Sequence, residues 1–403
     1  MDVPEEIIRV TNLFKIFGPD PKAALPMLEK DRDKESIYQE TGNTVAVQNA
    51  NLSIKKKEIF VIMGLSGSGK STIVRMFNRL IEPTAGQVFI LGEDITRLGK
   101  KEIIRLRRRK MSMVFQSFAL MPRMKVWENA AFGLDVSGFS PHERRERAMA
   151  ALEQVGLAAN ADSYPDELSG GMQQRVGLAR ALAMDPEIML MDEAFSALDP
   201  LIRAEMQDEL LALQADTGRT VVFISHDLDE AMRIGDRIAI MEGGRIIQVG
   251  APDEILQNPA DEYVRSFFRG VDPTKVLTAG DVAQDKQVTI IHSPELEKGL
   301  RAALQRLIDY DRECAYVLDR KRKYQGIISV DSLQRVIRDK NPLFQKALLD
   351  APAPVQADTL LEDVLPLVTN GPYPVPVVDR DGIYRGSISR TTYLKALQKG
   401  EES

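Results

Sequence analysis

Residues 64–72 read Gly-Leu-Ser-Gly-Ser-Gly-Lys-Ser-Thr, a complete G-x-x-x-x-G-K-[ST] loop. The loop follows the apolar run Ile59–Met63 and precedes a helical pattern from Lys70 to Leu80. Glycines let backbone N–H groups turn toward a polyphosphate, and the N-terminus of the following helix adds positive potential. The stretch therefore predicts that the chain binds a nucleoside triphosphate, with these candidate contacts: Gly64, Ser66, Gly67, Ser68, Gly69, Lys70, Ser71 and Thr72.

Composition excludes several classes of protein. The chain of 403 residues is long enough for two or three domains, and its net charge of −6 argues against a dedicated nucleic-acid-binding protein. One cysteine, Cys314, allows no internal disulfide and is typical of a reducing cytosol, and three histidines leave no structural zinc site. We find no run of 18 apolar residues and no secretory signal, and so expect a cytoplasmic protein.

Helical and apolar segments alternate through the first two thirds of the chain. A helical pattern over 170–184 precedes the apolar run 188–191, and one over 200–215 precedes 220–224. Buried strands that alternate with helices are typical of a mostly parallel α/β sheet. Residues 19–43, by contrast, contain three prolines and mixed charge, and we predict an irregular segment there.

The C-terminal third repeats itself. Residues 317–329 return at 377–389 with seven identical positions at an offset of 60. The repeat predicts a tandem of two modules, each a strand–turn–strand unit with a helix. Repeat one is expected over about 281–339 and repeat two over about 341–399.

A second glycine-rich segment lies just before the predicted helix 170–184. It reads Leu-Ser-Gly-Gly-Met-Gln-Gln from Leu168, and here the chain resembles the ATP-binding-cassette ATPases, whose signature is an LSGGQ-like heptad. The resemblance implies a P-loop ATPase fold with a helical subdomain at about 117–170. It also implies a head-to-tail homodimer, in which one chain's signature completes the ATP site of the other through Ser169, Gly170, Gly171 and Gln173.

The same resemblance assigns chemistry to two acids. The apolar run 188–191 ends in Asp192 and Glu193, as the family's Walker B strand does. Asp192 would help to hold Mg²⁺ through a water, with the Ser71 hydroxyl as a direct ligand. Glu193 would polarise the attacking water as general base.

Four further positions match family motifs. Gln116 follows the predicted strand 111–115 and resembles the Q-loop glutamine, which senses Mg²⁺ and the attacking water. His226 stands where the family has a histidine that contacts the γ-phosphate, and Asp199 lies in a D-loop that spans the dimer contact. For the aromatic residue that stacks on adenine we prefer Phe17, with Phe14 as the alternative.

The type of cassette ATPase follows from the whole chain. The segment from Phe115 to Pro122 resembles the Q-loop of importers, and the C-terminal tandem resembles a pair of CBS modules. With the insert 18–44 and Ser-Tyr-Pro-Asp-Glu-Leu before Ser169, the chain closely resembles the ATP-binding subunits of glycine betaine/proline betaine importers. The implied domains are an ATPase domain over 1–275 and a CBS pair over 276–403.

The resemblance implies an ATPase that uses ATP and Mg²⁺ to power import of a quaternary-amine osmoprotectant. Its partners would be a membrane permease on another polypeptide and, indirectly, a solute-binding protein, with the ATPase peripheral on the inner face of the membrane. Two alternatives remain: an importer ATPase for a different small solute, and a cassette ATPase without a transport role.

Repeat one carries a basic turn. Arg320, Lys321, Arg322 and Lys323 stand where repeat two has Arg-Asp-Gly, and we expect them at an exposed hairpin tip. A solvated charged turn explains the four cations without any function. The functional hypothesis is that the tip binds anionic lipid or an anionic ligand and restrains the ATPase, with a nucleotide between the CBS modules as the rival.

Overall fold

The computed structural model describes residues 5–30, 32–116, 119–196, 198–268, 272–291, 299–349 and 353–401. The chain divides into two compact units, Met1–Phe267 and Phe268–Ser403. This division falls a few residues before the predicted boundary at 275. The turn Pro273–Lys275 packs with helices of the second unit, which is why it belongs there.

The first unit is built from ten strands and eleven helices over its described residues. The strands are β1 (Glu6–Phe17), β2 (Thr44–Lys55), β3 (Ile59–Met63), β4 (Ala85–Ile90), β5 (Glu93–Asp94), β6 (Met111–Val114), β7 (Ile188–Asp192), β8 (Thr220–Ser225), β9 (Arg237–Glu242) and β10 (Arg245–Gly250). The helices are α1 (Leu25–Glu29), α2 (Lys34–Thr41), α3 (Lys70–Phe77), α4 (Lys100–Lys110), α5 (Val126–Val136), α6 (Pro141–Gln154), α7 (Gly170–Leu182), α8 (Pro200–Thr217), α9 (Leu228–Ile234), α10 (Pro252–Gln257) and α11 (Glu262–Phe267).

A six-stranded sheet with the order β10-β9-β3-β8-β7-β6 forms the centre of the first unit. All its neighbours pair in parallel except β10, which is antiparallel to β9, so the predicted mostly parallel sheet is confirmed. Strands β3, β7 and β8 are buried along their whole length, as continuous apolar runs require. Their carboxyl ends lie at one edge of the sheet, where open α/β sheets bind ligands.

A second, antiparallel sheet with the order β2-β1-β4-β5 packs against this centre. Ile8, Leu13 and Val88 of the antiparallel sheet share one apolar cluster with Phe60 and Val222 of the parallel sheet. Residues of β3 and α3 belong to the same cluster, so the elements on both sides of the phosphate loop are anchored in the core.

Residues 19–43 are not irregular as predicted, since they contain α1 and α2. The Asp33 carboxylate accepts a hydrogen bond from the backbone N–H of Ser36 at 2.8 Å, which caps the start of α2. Gly42 ends the helix in the left-handed conformation, with φ of 69°. Leu28 and Ile37 are buried with Ile16 in a small apolar cluster, so the segment packs onto β1.

The second unit contains two three-stranded sheets, ordered β11-β12-β13 and β14-β15-β16. Its strands are β11 (Thr289–Ile291), β12 (Cys314–Leu318), β13 (Tyr324–Ser329), β14 (Val355–Gln356), β15 (Val375–Val378) and β16 (Tyr384–Ile388). Its helices are α12 (Ala279–Val282), α13 (Leu300–Asp309), α14 (Val330–Ile337), α15 (Leu361–Asn370) and α16 (Arg390–Glu401). In each sheet a parallel pair is followed by an antiparallel pair, as the internal repeat predicts.

Several predicted segments extend across residues outside the described part of the chain. Ser117 and Phe118 belong to the predicted Q-loop segment, and Ala197 belongs to the predicted D-loop. Residues 292–298 and 350–352 belong to the two predicted repeats. Over the residues that are described, no helix is both long and apolar enough to cross a membrane.

Candidate functional site

The phosphate loop occupies residues 64–69, between the end of β3 and the start of α3. At Gly69, with φ of 100°, a Cβ atom would lie 2.4 Å from the carbonyl oxygen of Ala46, so this position accepts only glycine without displacement. Lys70 is buried, and its Nζ donates to the carbonyl oxygens of Gly64 at 2.8 Å and Leu65 at 3.1 Å. Burial lowers the pKa of the Lys70 ammonium, although Glu193 and Asp192 act in the opposite direction.

Both oxygens of Asp192 are engaged. Ser71 Oγ donates to Oδ1 at 2.7 Å, and the guanidinium of Arg75 donates to Oδ2 at 3.1 and 3.3 Å. Asp192 is itself buried at the end of β7, so these contacts compensate for its loss of water. The structure therefore brings together two of the three residues predicted to hold Mg²⁺.

These oxygens fit Mg²⁺, the cation that the phosphate-loop fold implies. A hydroxyl and a carboxylate 2.7 Å apart beside a polyphosphate cradle are the hard oxygen donors that this ion prefers. Within the described residues there is no group of three or more His, Cys, Asp or Glu side chains that could hold a metal ion. The third predicted ligand, Gln116, is directed instead at Glu193.

Glu193 lies where three loops meet. Gln116 Nε2 donates to Glu193 Oε2 at 3.0 Å, and His226 Nδ1 lies 3.8 Å from the same oxygen. The Glu193 backbone has φ of 48°, a left-handed conformation that costs free energy in a residue with a side chain and is concentrated at functional sites. The three predicted catalytic residues are thus brought together at the carboxyl ends of β6, β7 and β8.

The signature segment begins α7. Ser169 is its N-cap, and the Ser169 Oγ accepts from the backbone N–H of Met172 at 3.3 Å. Ser169 and Gly170 are exposed, whereas Gly171 contacts α8, where a Cβ atom would lie 2.6 Å from Cγ2 of Ile202. Within the described residues no hydrogen bond or ion pair joins Ser169 to the phosphate loop of the same chain.

Gln173 makes two hydrogen bonds within its own chain. Its Nε2 donates to the carbonyl oxygens of Pro165 at 2.9 Å and Leu168 at 3.2 Å. Pro165 precedes the signature segment, and Leu168 is its first residue. The side chain therefore holds the signature loop on α7.

Asp199 is the N-cap residue of α8. It is exposed and caps α8, with Oδ1 accepting from the backbone N–H groups of Leu201 at 3.2 Å and Ile202 at 3.1 Å. Leu201, beside it, is 71% exposed, which leaves a large apolar side chain in water next to the predicted dimer contact.

The two candidate aromatic residues have different environments. Phe14 is half-buried and packs against the apolar cluster of Ile16 and Ile37. Phe17 is 41% exposed at the end of β1, and the Lys15 ammonium lies 4.7 Å from its ring centroid. The Phe17 ring is the more exposed of the two, since Phe14 is half-buried, and this favours Phe17 for stacking.

The basic turn of repeat one is exposed, as predicted, but it is not isolated. The Tyr324 N–H donates to the carbonyl oxygen of Gly382 at 3.1 Å, and the Tyr384 N–H donates to that of Arg322 at 3.0 Å. The turns of the two repeats are therefore paired through their backbones. The Arg322 guanidinium lies 3.4 Å from Asp285, which neutralises part of the turn's charge.

Sequence reasoning missed two arginines at the site. Arg75 lies four residues after Ser71 on α3, a spacing that puts both side chains on one helix face and could have revealed it. Arg203 on α8 contacts the loops of both Ser196 and His226. No spacing in the sequence indicates that contact, because it depends on how α8 packs beside β8.

A phosphate loop after one buried strand and an acidic pair after another define a P-loop ATPase. A family model described as ABC transporter matches residues 47–196, and one described as CBS domain matches residues 348–399. A solved dimeric ATP-binding cassette, MJ0796 in a post-hydrolysis state bound to ADP and Pi, is 33% identical, with a TM-score of 0.52. The match covers 60% of this chain and 98% of that one.

Two curated relatives match along nearly the whole chain. The glycine betaine/proline betaine transport system ATP-binding protein ProV of Salmonella typhimurium is 56% identical over 97% of this chain and 98% of its own. The glycine betaine transport ATP-binding protein OpuAA of Bacillus subtilis is 46% identical over 98% and 93%. The chain therefore belongs to the family of ABC transporter ATP-binding proteins, which are ATPases.

Proposed function

We propose that this chain is the ATP-hydrolysing subunit of an importer for quaternary-amine osmoprotectants of the glycine betaine/proline betaine type. The proposal that the chain hydrolyses ATP is supported by one observation: Gln116 and His226 both lie close to the Glu193 carboxylate, beside the phosphate loop. The solute class is supported by the two relatives named above, whose own names state glycine betaine transport. An importer subunit for another small solute is the alternative.

The phosphate loop binds the β- and γ-phosphates. Lys70 exchanges the carbonyl oxygens of Gly64 and Leu65 for phosphate oxygens, which is favourable because a buried ammonium gains an anionic partner. Phe17 stacks on the adenine. Ser71 and Asp192 would hold Mg²⁺, with Gln116 as the third predicted ligand, and the ion would supply positive charge beside the phosphates.

Glu193 takes the proton of the attacking water. Its Oε2 already has Gln116 and His226 as neighbours, so its orientation is set before ATP binds. His226 is 57% exposed, which leaves it free to reach a γ-phosphate. Positioning of this kind is the main contribution a protein makes to phosphoryl transfer.

The working unit is a homodimer. Ser169 and Gly170 are exposed at the N-terminus of a 13-residue helix, where backbone N–H groups and the helix dipole favour an anion. The resemblance to cassette ATPases places such a helix start at the ATP of the partner subunit, and we assign Ser169 and Gly170 to that site. Asp199 and the exposed Leu201 lie at the same contact.

The remaining partners are a separate membrane permease and, through it, a solute-binding protein. The ATPase is peripheral on the cytoplasmic face of the cell membrane in this arrangement. We assign no nucleic-acid partner, because the chain is acidic overall, with a net charge of −6.

The C-terminal tandem regulates the ATPase through its basic turn. Arg320, Lys321, Arg322 and Lys323 are exposed, and an anionic lipid surface attracts such a cluster at low ionic strength. Salt screens this attraction, because the Debye length falls from about 10 Å at 0.1 M to about 3 Å at 1 M. Rising cytoplasmic salt would release the restraint when a cell loses water.

A nucleotide bound to the tandem is the rival regulator. A cavity of about 240 Å³ is lined by Ser389 and Thr392 together with the cations Lys286, Arg312 and Lys395. Its volume is below the roughly 300–1,000 Å³ of most small-molecule sites, which is why we place the lipid surface first.

Purification of the chain with its membrane partner from the native cell tests the transport assignment. We expect a permease with membrane-spanning helices to be recovered from detergent extracts. Recovery of ribosomes or DNA-repair factors instead would favour a cassette ATPase without a transport role and would contradict the proposal.

A further inference from the structure

Arg203 joins two loops that the proposed mechanism treats separately. Its Nη2 donates to the carbonyl oxygens of Leu198 at 3.1 Å and Ser196 at 3.4 Å, both in the loop after Glu193. Its Nη1 donates to Oδ2 of Asp227 at 3.1 Å, directly after His226. One planar guanidinium therefore fixes the distance between the segments that carry the general base and the histidine.

Asp227 holds the histidine segment at its other end. Its Oδ1 accepts from the backbone N–H of Glu230 at 3.2 Å, which caps α9. Its own N–H donates to Oγ of Ser225 at 2.9 Å, so residues 225–227 form a tight turn at the end of β8. Because His226 is in the middle of this turn, a shift of Asp227 shifts the imidazole.

The loop after Glu193 is held in the same way. Ser196 Oγ donates to the carbonyl oxygen of Glu193 at 2.9 Å, and Gln116 Nε2 lies 3.4 Å from that Oγ. Arg203 is one quarter exposed, so its ion pair with Asp227 is partly shielded from water and from salt. Arginine suits this position because its rigid fork reaches both partners at once, whereas a lysine would reach one of them.

We propose that Arg203 and Asp227 are positioning residues for ATP hydrolysis, which act by holding His226 at its distance from Glu193. This inference rests on the proposed roles of Glu193 and His226. Among the described residues, no hydrogen bond or ion pair joins Arg203 or Asp227 to the phosphate loop, so their effect should fall on turnover and leave nucleotide affinity unchanged.

Steady-state phosphate release by the full-length chain with MgATP tests the inference. We expect Arg203→Met and Asp227→Asn each to lower kcat about 10- to 100-fold, the loss that one charged hydrogen bond predicts, with KM for ATP within threefold of the wild-type value. Asp208→Asn is the matched control, because Asp208 of α8 pairs with Arg233 of α9 at 2.7 Å, away from the loops that carry Glu193 and His226. Its kcat should stay within twofold.

The histidine variant distinguishes positioning from damage to the fold. In a His226→Ala chain, adding Arg203→Met should lower kcat no further, because the group that Arg203 positions is already absent. A further tenfold loss in that chain would overturn the inference, and so would an unchanged kcat for Arg203→Met alone. If His226→Ala and Glu193→Gln both keep wild-type turnover, it is the proposed hydrolysis site that fails.

Discussion

The amide nitrogen of Gln116 lies 3.0 Å from a carboxylate oxygen of Glu193, although the two residues are 77 positions apart. The contact joins the loop after β6 to the end of β7. It orients the carboxylate by a hydrogen bond that does not need nucleotide. A metal ion that coordinates Gln116 must break this hydrogen bond. Binding of the ion therefore changes the surroundings of both Gln116 and Glu193.

Glu193→Gln should lower the hydrolysis rate about 10²- to 10⁴-fold and leave ATP binding intact. The glutamine carbonyl can still accept from Gln116, whereas it cannot take a proton from water. Phosphate release measures the rate, and size-exclusion chromatography with ATP should show an accumulated dimer. Glu187→Gln is the control, since Glu187 pairs with Lys110 at the opposite end of β7. Near-wild-type turnover in Glu193→Gln would remove it from the mechanism.

Ser169→Arg should abolish turnover while the chain still binds ATP, because the serine acts on the partner's nucleotide. The substitution also removes an N-cap, at a cost of about 0.5–2 kcal/mol in stability. Ser140→Arg controls for this cost, since Ser140 caps α6 in the same way: its Oγ accepts from the backbone N–H of Glu143 at 3.3 Å.

Mixing the Ser169→Arg chain with a Lys70→Ala chain sharpens this test. A head-to-tail dimer of the two chains contains one intact site and one with both defects. The mixture should therefore regain at most one working site per mixed dimer. Two regained sites would exclude the head-to-tail arrangement.

Glu230→Gln should change how stability depends on pH. Burial, the largest effect, raises the pKa of the Glu230 carboxyl, and the nearby Asp227 acts in the same direction against hydrogen bonds from Ser225 and Gln207. The folded chain therefore keeps this proton after the unfolded chain has lost it. The stabilisation from this proton is present below the unfolded pKa of about 4.3 and is lost as pH rises through the folded pKa.

The melting temperature of Glu230→Gln should consequently rise relative to that of the wild type between about pH 4.5 and pH 7. The fluorescence of Trp127, the single tryptophan, reports the unfolding of the first unit. Glu153→Gln, an exposed change on α6, is the control. A difference in melting temperature that does not vary with pH would show that Glu230 does not titrate in this way.

Neutralising the basic turn should raise activity at low salt. With Lys321, Arg322 and Lys323 changed to Gln, ATP-driven uptake into vesicles rich in anionic lipid should already be high where the wild type is restrained. Arg380→Gln, at the equivalent turn of repeat two, should leave the salt threshold in place. A threshold unmoved by the triple change would show that this turn is not the sensor, and control by added nucleotide would then favour the cavity near Ser389.

The sequence allowed prediction of those parts of the site in which a short motif determines the local backbone structure. The apolar runs before Gly64, Asp192 and His226 are long enough to be buried strands, and parallel pairing then brings their ends together. The prediction for residues 19–43 was wrong, because three prolines suggested an irregular segment there. Asp33 and Gly42 are nevertheless typical residues for the start and the end of a helix. Tertiary packing alone decides the rest, including the partners of Arg203 and the pairing of Arg322 with Tyr384.

Uptake of labelled glycine betaine tests the central claim most directly. Proteoliposomes would contain this chain and its co-purified permease, with MgATP inside and the solute-binding protein outside. We predict accumulation that requires internal ATP and is lost in Glu193→Gln. Uptake no greater than in the Glu193→Gln vesicles, under conditions where the wild-type chain hydrolyses ATP, would contradict the account.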